Sequence, residues 1–325
     1  MLVEKSGPKQ YTRRITTRSI DELPPGDVLI KVAYSSLNYK DALSAIGNKG
    51  VTKSYPHTPG IDAAGYVAKS DASHIKKGDK VIVTSYDLGM NTAGGFGEYI
   101  RVPAGWVVPL PEGLSLKESM IYGTAGFTAG LAVTRLVSHP LPKDQGPILV
   151  TGASGGLGSL AVALLSKIGY LVTAASGKAD GRNFLETLGA HKIVSREAVQ
   201  DLSGRPLVKS QWAGAIDTVG GEILASILKS VNLHGAVSAC GNVASFELNT
   251  TVFPFILRGI SLYGIDSAQC PYAERINIWE KLAGDWKIDH LDYLATEIGL
   301  DQLSDYIDTI LKGGLKGRVV VKITP

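Results

Sequence analysis

The stretch Ile148-Leu149-Val150-Thr151-Gly152-Ala153-Ser154-Gly155-Gly156-Leu157-Gly158 decides how this chain is read. Its first three residues are apolar and predict a buried strand. The glycines then permit a tight turn, and Leu160 to Ile168 supplies an apolar helix. At a helix N-terminus the first N–H groups have no partner, and a pyrophosphate is bound there when glycines let the backbone approach it. The spacing is G-x-x-G-G-x-G and departs from G-x-G-x-x-G. No Lys-Ser/Thr follows, which excludes a nucleoside-triphosphate loop. A glycine cluster alone also describes a purely structural turn. The flanking strand and helix favour a dinucleotide.

Gln145 to Ser166 carries no charge and imitates a membrane span. Pro147 and the four glycines break it, so it reads as strand, turn and helix. Further along, strands and helices alternate: Tyr170–Ala174, Arg182–Leu188, Ile193-Val194, Ala213–Ile216, Glu222–Leu228, Ala236–Ala239, Phe253–Arg258 and Ile260–Tyr263. This pattern predicts βαβ units, and six candidate strands fit a doubly wound parallel sheet. The tail from Ala273 to Lys312 has helical texture. Arg318 to Ile323 is a last strand, beyond the sixth of the series, and is assigned back to the first domain. Upstream, Val28–Tyr34, Gly60–Val67, Lys80–Thr84 and Ile100–Val102 are short strands among Gly and Pro, the texture of a small barrel or sandwich. Leu116 to Leu136 is a helix whose Ala125, Gly126, Ala129 and Gly130 allow close packing.

Composition narrows the function classes. The 325 residues suggest about two domains, and 44% hydrophobic with 19% charged residues describes a globular chain. Lys and Arg total 33 against 30 Asp and Glu, so duplex nucleic acid is not an expected partner. Two cysteines, Cys240 and Cys270, build neither a disulfide scaffold nor a four-thiolate zinc lobe. Met1 to Tyr11 shows no apolar signal region. The expectation is a cytoplasmic protein with no membrane partner.

Three places bear on chemistry. At the end of the second predicted strand, about 20 residues past the glycines, an NAD enzyme usually carries Asp or Glu for the ribose hydroxyls. Here the chain reads Ala174-Ala175-Ser176-Gly177-Lys178, and Arg196 follows the third strand. Ser176, Lys178 and Arg196 suit a 2′-phosphate and favour NADPH, although Asp180 is acidic and Lys178 also reads as a surface lysine. The histidines are scattered without ligand spacing, and Ile61 in Gly60-Ile61-Asp62 stands where zinc relatives have His, so no metal is expected. Asn38-Tyr39-Lys40-Asp41 offers amide and phenol donors for a carbonyl oxygen, and also fits an ordinary turn. G-x-S-x-G is absent, which removes the serine-hydrolase reading.

Several motifs in order resemble a known family: Ser36-Leu37-Asn38-Tyr39-Lys40-Asp41, Pro59-Gly60-Ile61-Asp62, Gly123-Thr124-Ala125-Gly126-Phe127-Thr128-Ala129, Val150 to Gly156, Trp212 to Gly220, Pro254 to Arg258, and Gly317-Arg318. Over nearly its whole length the chain is similar to zinc-free medium-chain dehydrogenases/reductases of the quinone oxidoreductase type, in the YhdH/YhfP branch that includes acrylyl-CoA reductases. The resemblance implies an α/β protein, with a GroES-like β-rich catalytic domain plus a Rossmann doubly wound parallel sheet. The expected division is 1–121 catalytic, 122–261 NADP-binding and 262–325 returning to the catalytic domain. The resemblance implies that Tyr39 lies beside cofactor and substrate, and Asn38 near the nicotinamide. It also implies that Ser154, Gly155, Gly156 and Leu157 touch the pyrophosphate. Ser176, Gly177, Lys178 and Arg196 would hold the 2′-phosphate, with Asp266 and Arg318 as further cofactor contacts. Relatives are commonly homodimers.

Two classes of function follow. One is an NADPH-dependent reductase of an activated double bond, with acrylyl-CoA as leading substrate and a quinone or enone as the alternative. The other is a non-catalytic NADPH-binding sensor or structural protein, since a fold alone does not establish activity.

Overall fold

In the computed structural model every residue is described except 140, 142, 179, 180 and 325. The expectation attached to Asp180 therefore falls outside the described residues. The chain divides into two compact units. The first comprises Met1–Ala125, Ser267–Asp285 and Asp289–Pro325, and the second Gly126–Asp266 with Trp286–Ile288. Among the described residues no helix is long and apolar enough to cross a membrane.

The second unit is built on a six-stranded parallel sheet. Its strands lie in the order Lys192–Val194, Val172–Ala175, Ile148–Val150, Trp212–Asp217, Val231–Ala239 and Ser261–Gly264. The strand that comes first in sequence is thus third in space, the doubly wound arrangement expected from the alternation. Ile148–Val150 and Trp212–Asp217 are buried at every residue, as a parallel sheet covered on both faces requires. The helix Gly156–Lys167 follows the glycine turn and buries Leu160 to Leu165 without a break. Gly169, at φ +86°, ends it, with its N–H bonded to the Ser166 carbonyl.

The glycines do different jobs. Gly152 sits at φ +57°, where a Cβ would also lie 2.3 Å from the Thr218 hydroxyl. At Gly158 a Cβ would lie 2.3 Å from the Gly152 carbonyl oxygen and 2.8 Å from the Ala153 Cα. That position sets how closely helix and turn approach.

The first unit centres on the long strand Val28–Leu37. Along one edge it pairs with Asp62–Ser70. Along the other, residues 28–31 pair with Tyr99–Val102 and residues 34–37 with Arg318–Lys322. Alternate residues Val28, Ile30 and Val32 enter the core with Ala63, Val67, Val81, Val83 and Ile100. The return of the C-terminal strand to this sheet agrees with its expected placement. Two differences stand out. The tail is not wholly helical: Ala295–Gly299 is a strand pairing in parallel with Arg318–Lys322, and its exposed Thr296 and Glu297 lack a strand-like apolar run. A hairpin, Leu2–Gly7 with Gln10–Arg14, was not visible in the pattern because residues 10–14 are polar and half exposed.

Gly158→Ala should lower the urea midpoint, because the added methyl meets backbone that cannot give way. The expected loss is about 1–3 kcal/mol. An unchanged midpoint would show that helix and turn can separate freely.

Candidate functional site

The carboxyl ends of the six parallel strands carry the glycine turn and the candidate phosphate-binding residues. The glycine turn leads from Ile148–Val150 into the helix Gly156–Lys167, whose first turn holds no acidic residue. A Cβ on Gly155 would meet nothing nearer than the Gly152 carbonyl oxygen at 3.3 Å, so the approach to these N–H groups is open. A pyrophosphate fits that end by charge and by space. Beside it, the Ser154 and Ser176 hydroxyls are 3.0 Å apart, and the Lys178 N–H donates to Ser176 Oγ at 3.2 Å. The Arg196 guanidinium lies 3.5 Å from where a Cβ on Gly177 would stand. Ser154, Ser176, Gly177, Lys178 and Arg196 therefore meet at one corner. Asp266 stands exposed just past the sixth strand, on the same sheet edge but three strands from the glycine turn.

Between the first and fourth strands of the sequence, the turn is stapled by residues quoted above only as parts of motifs. Thr151 Oγ1 donates to Asp217 Oδ1 at 2.6 Å, and Thr218 Oγ1 donates to the Thr151 carbonyl at 2.9 Å. Gly220 N–H donates to Asp217 Oδ2 at 2.7 Å. Burial pushes the Asp217 carboxyl up, against these hydrogen bonds. Burial, followed by the charge of Asp217, also pushes up the Cys240 thiol, so that cysteine is no ready nucleophile.

In the first unit a second polar group forms around Asp62, which is fully buried. Its carboxylate accepts from Ser36 Oγ at 2.6 Å, Asn38 Nδ2 at 2.8 Å, and Thr124 through both N–H (3.0 Å) and Oγ1 (2.6 Å). Arg318 Nη2 is 3.7 Å away. Gly123, at φ +51°, has to be glycine: a Cβ there would stand 2.4 Å from Asp62 Oδ2 and 2.6 Å from Ser36 Oγ.

Asn38 precedes the short helix Tyr39–Ala45, and Asp41 in the first turn of that helix accepts the Asn38 N–H at 2.8 Å. Asp41 also accepts the N–H groups of Gly60 and Ile61, at 3.1 and 2.8 Å.

The expected residues fare differently. Tyr39 is 42% exposed and makes no side-chain hydrogen bond among the described residues, which leaves its phenol available. The Asn38 amide is occupied: its nitrogen donates to Asp62 and its oxygen accepts from Arg318 Nη1 at 3.2 Å. Arg318 is 3% exposed, and its other donors go to the Ile121 and Leu37 carbonyls and to Ser36 Oγ. Both residues thus face the protein, with Tyr39 as the outward donor. Ile61 is buried, and among the described residues no three His, Cys, Asp or Glu side chains stand together as a metal site. Asp62 and Thr124 lay within quoted motifs. Nothing local announced their contact, because it depends on pairing across the sheet.

Residues 24–112 match the alcohol dehydrogenase GroES-like domain, and residues 156–283 match the zinc-binding dehydrogenase family. The acrylyl-CoA reductase AcuI of Ruegeria pomeroyi is 43% identical, over 98% of this chain and 96% of that protein. YhfP of Bacillus subtilis, whose name assigns it provisionally to the quinone oxidoreductases, is 46% identical over 95% of this chain and 94% of its own. A YhfP structure with NAD bound superposes with a TM-score of 0.96 at 45% identity, covering 99% of this chain and 98% of that one. The YhdH oxidoreductase of Salmonella enterica, in complex with NADP, also gives 0.96, at 43% identity and 99% coverage of both chains.

Burial, followed by the negative charge of Asp62, pushes the Asp41 carboxyl up to about 7, while the N–H donors of Asn38 and Ile61 pull the other way. A carboxyl raised on folding binds its proton more tightly in the native state. Its contribution to stability is therefore full below about pH 4, its unfolded range, and is lost as pH rises through about 7. Carbon-13 titration of the Asp41 carboxyl should show a midpoint near neutrality. A midpoint in the ordinary carboxylate range would mean that the donors outweigh burial.

Proposed function

From the premise that the chain belongs to the medium-chain dehydrogenase/reductase family, in its quinone oxidoreductase-type branch, we propose that it reduces an activated carbon–carbon double bond with NADPH, converting acrylyl-CoA to propionyl-CoA. The chain is an oxidoreductase, as its close relatives are. One observation carries the cofactor choice: Ser176, Lys178 and Arg196 gather at the end of the second strand. A 2′-phosphate gains charge-assisted bonds from two cations and a hydroxyl, whereas a bare ribose gains only neutral-acceptor hydrogen bonds. The Bacillus relative with NAD bound makes this corner the feature to test. The choice of acrylyl-CoA rests on similarity to the reductases of that name.

When bound, NADPH supplies the hydride that reduces the β-carbon. The chain's own groups do the rest. The N–H groups of Gly156 and Leu157 would hold the pyrophosphate, with Ser154 and Gly155 beside them, and Lys178 and Arg196 would neutralise the 2′-phosphate. Tyr39 would hydrogen-bond the thioester oxygen, where negative charge grows as the β-carbon is reduced, and a proton from water at the α-carbon completes the saturated product. Asn38 and Arg318 orient that donor from within the protein.

The assembled enzyme is a homodimer in this reading. Val243, Phe246, Val252, Ile256 and Leu257 are all more than half exposed, Phe246 at 86%, and they lead to the edge strand Ser261–Gly264. Exposed apolar side chains leading to an open sheet edge call for a cover, and a second copy supplies it. Sedimentation that reports only monomer would remove this element.

Turnover is measured as NADPH consumption with acrylyl-CoA, enones and quinones in parallel. Consumption with quinones alone would transfer the assignment to a quinone reductase. Tight NADPH binding without turnover on any acceptor would refute the reductase reading. Lys178→Ala should weaken NADPH about tenfold to a hundredfold and leave NADH nearly unchanged, because a charge-assisted bond is lost only for the phosphate-bearing cofactor. Equal losses for both cofactors would defeat the 2′-phosphate assignment.

A further inference from the structure

We propose that Asp62 is a positioning residue: its buried carboxylate fixes the Asn38 amide and thereby sets where Tyr39 presents its phenol. The inference rests on the reading above, in which Tyr39 serves the reaction. Its own content is the geometry around residue 62.

The Asn38 amide is gripped at both ends by groups of opposite charge. Asp62 accepts from its nitrogen at 2.8 Å, more closely than Asp41 Oδ2 and the Ser36 carbonyl at 3.3 Å, and Arg318 donates to its oxygen at 3.2 Å. A reversed amide would set donor against donor and acceptor against acceptor, so one orientation is imposed. Arg318 also holds the Leu37 carbonyl, one residue earlier. The next residue, Tyr39, opens a helix of seven residues, too short to hold its own place. The Tyr39 side chain has no hydrogen bond to fix it among the described residues, so its position is inherited from the backbone that Asn38 anchors.

Packing alone gives no reason for a carboxylate here. A buried ion pair contributes little net stability, and apolar side chains of similar volume often replace one without loss. What the carboxylate does that an apolar group cannot is collect donors from separate segments: Ser36, Asn38 and Thr124, with Arg318 alongside. Gly123 leaves room for that gathering.

The test is a double-mutant cycle on the full-length enzyme with acrylyl-CoA, using Asp62→Asn, Tyr39→Phe and the pair. Asp62→Asn keeps the shape and removes the second acceptor oxygen. It should lower kcat about tenfold or more, with NADPH affinity held within about threefold, and should cost less than about twofold once Tyr39 is already Phe. Losses that multiply in the double variant, or an unchanged kcat, overturn the proposal. Ser36→Ala removes one donor to the carboxylate and should follow the same pattern more weakly, which keeps the question decidable if Asp62→Asn does not fold.

Hydrogen exchange supplies a readout independent of turnover. Amides of residues 38–42 should exchange faster in Asp62→Asn or Ser36→Ala, while those of the parallel sheet do not change. Unaltered exchange at 38–42 refutes positioning even if the wild-type enzyme reduces nothing. A wild type that reduces nothing while 38–42 loosens would defeat only the functional reading.

Discussion

A carboxylate removed from water must find partners, and Asp62 finds them on three stretches of chain that are remote in sequence. Ser36 and Asn38, at the end of the central strand, and Thr124, just past the helix break at Gly123, donate to it, and Arg318 on the last strand stands 3.7 Å away as its counter-ion. Leaving such a group with one partner missing would cost several kcal/mol, on the order of 3–5. The requirement therefore acts as a constraint on the whole first unit. It demands glycine at 123, brings the C-terminal strand beside Val28–Leu37, and leaves the amide of Asn38 with one orientation. Asp41 adds a second buried carboxyl to the same region, satisfied by backbone N–H groups instead of by a cation. The two acids solve one problem by different means.

The second unit answers to a different constraint, the close approach of backbone to backbone. Gly152 and Gly158 are required because a side chain would collide with Thr218 or with the turn itself. Gly241 behaves likewise, since a Cβ there would lie 2.1 Å from the Thr218 carbonyl oxygen. The Thr151–Asp217–Thr218 hydrogen bonds then lock two turns that would otherwise be free to part. A rigid, open helix end results, and the polar corner at Ser176 and Lys178 lies one strand away. Fixed backbone thus shapes the helix end, with polar side chains at the corner beside it.

These two constraints explain which parts were legible beforehand. The parallel sheet could be read because each of its signals is local: an apolar strand, a glycine turn, an apolar helix, then the same again. Ser176, Lys178 and Arg196 could be picked out because their places follow from strand ends. Asn38 and Tyr39 stood out as polar residues after a strand, but the opposite fates of their side chains could not be read. That difference is decided by Arg318, 280 residues away from Asn38. Asp62 was quoted only as the neighbour of Ile61, since nothing beside it in sequence shows what its carboxylate touches. The strand Ala295–Gly299 escaped notice for a related reason: it is an edge strand, half exposed, and pairing rather than pattern makes it one.

The return of the chain's end to its beginning also fixes an order of events during synthesis. The parallel-sheet unit draws its six strands from one continuous stretch, so it can close as soon as Gly264 is available. The first unit holds most of its strands by Pro109, yet lacks Arg318–Lys322, one of the two segments that share an edge of its central strand. Until that strand arrives, the Asp62 carboxylate has no cation near it, which makes its burial costly. The part of the molecule made first is therefore completed last. Its open sheet edge stays exposed for as long as the ribosome takes to reach residue 318.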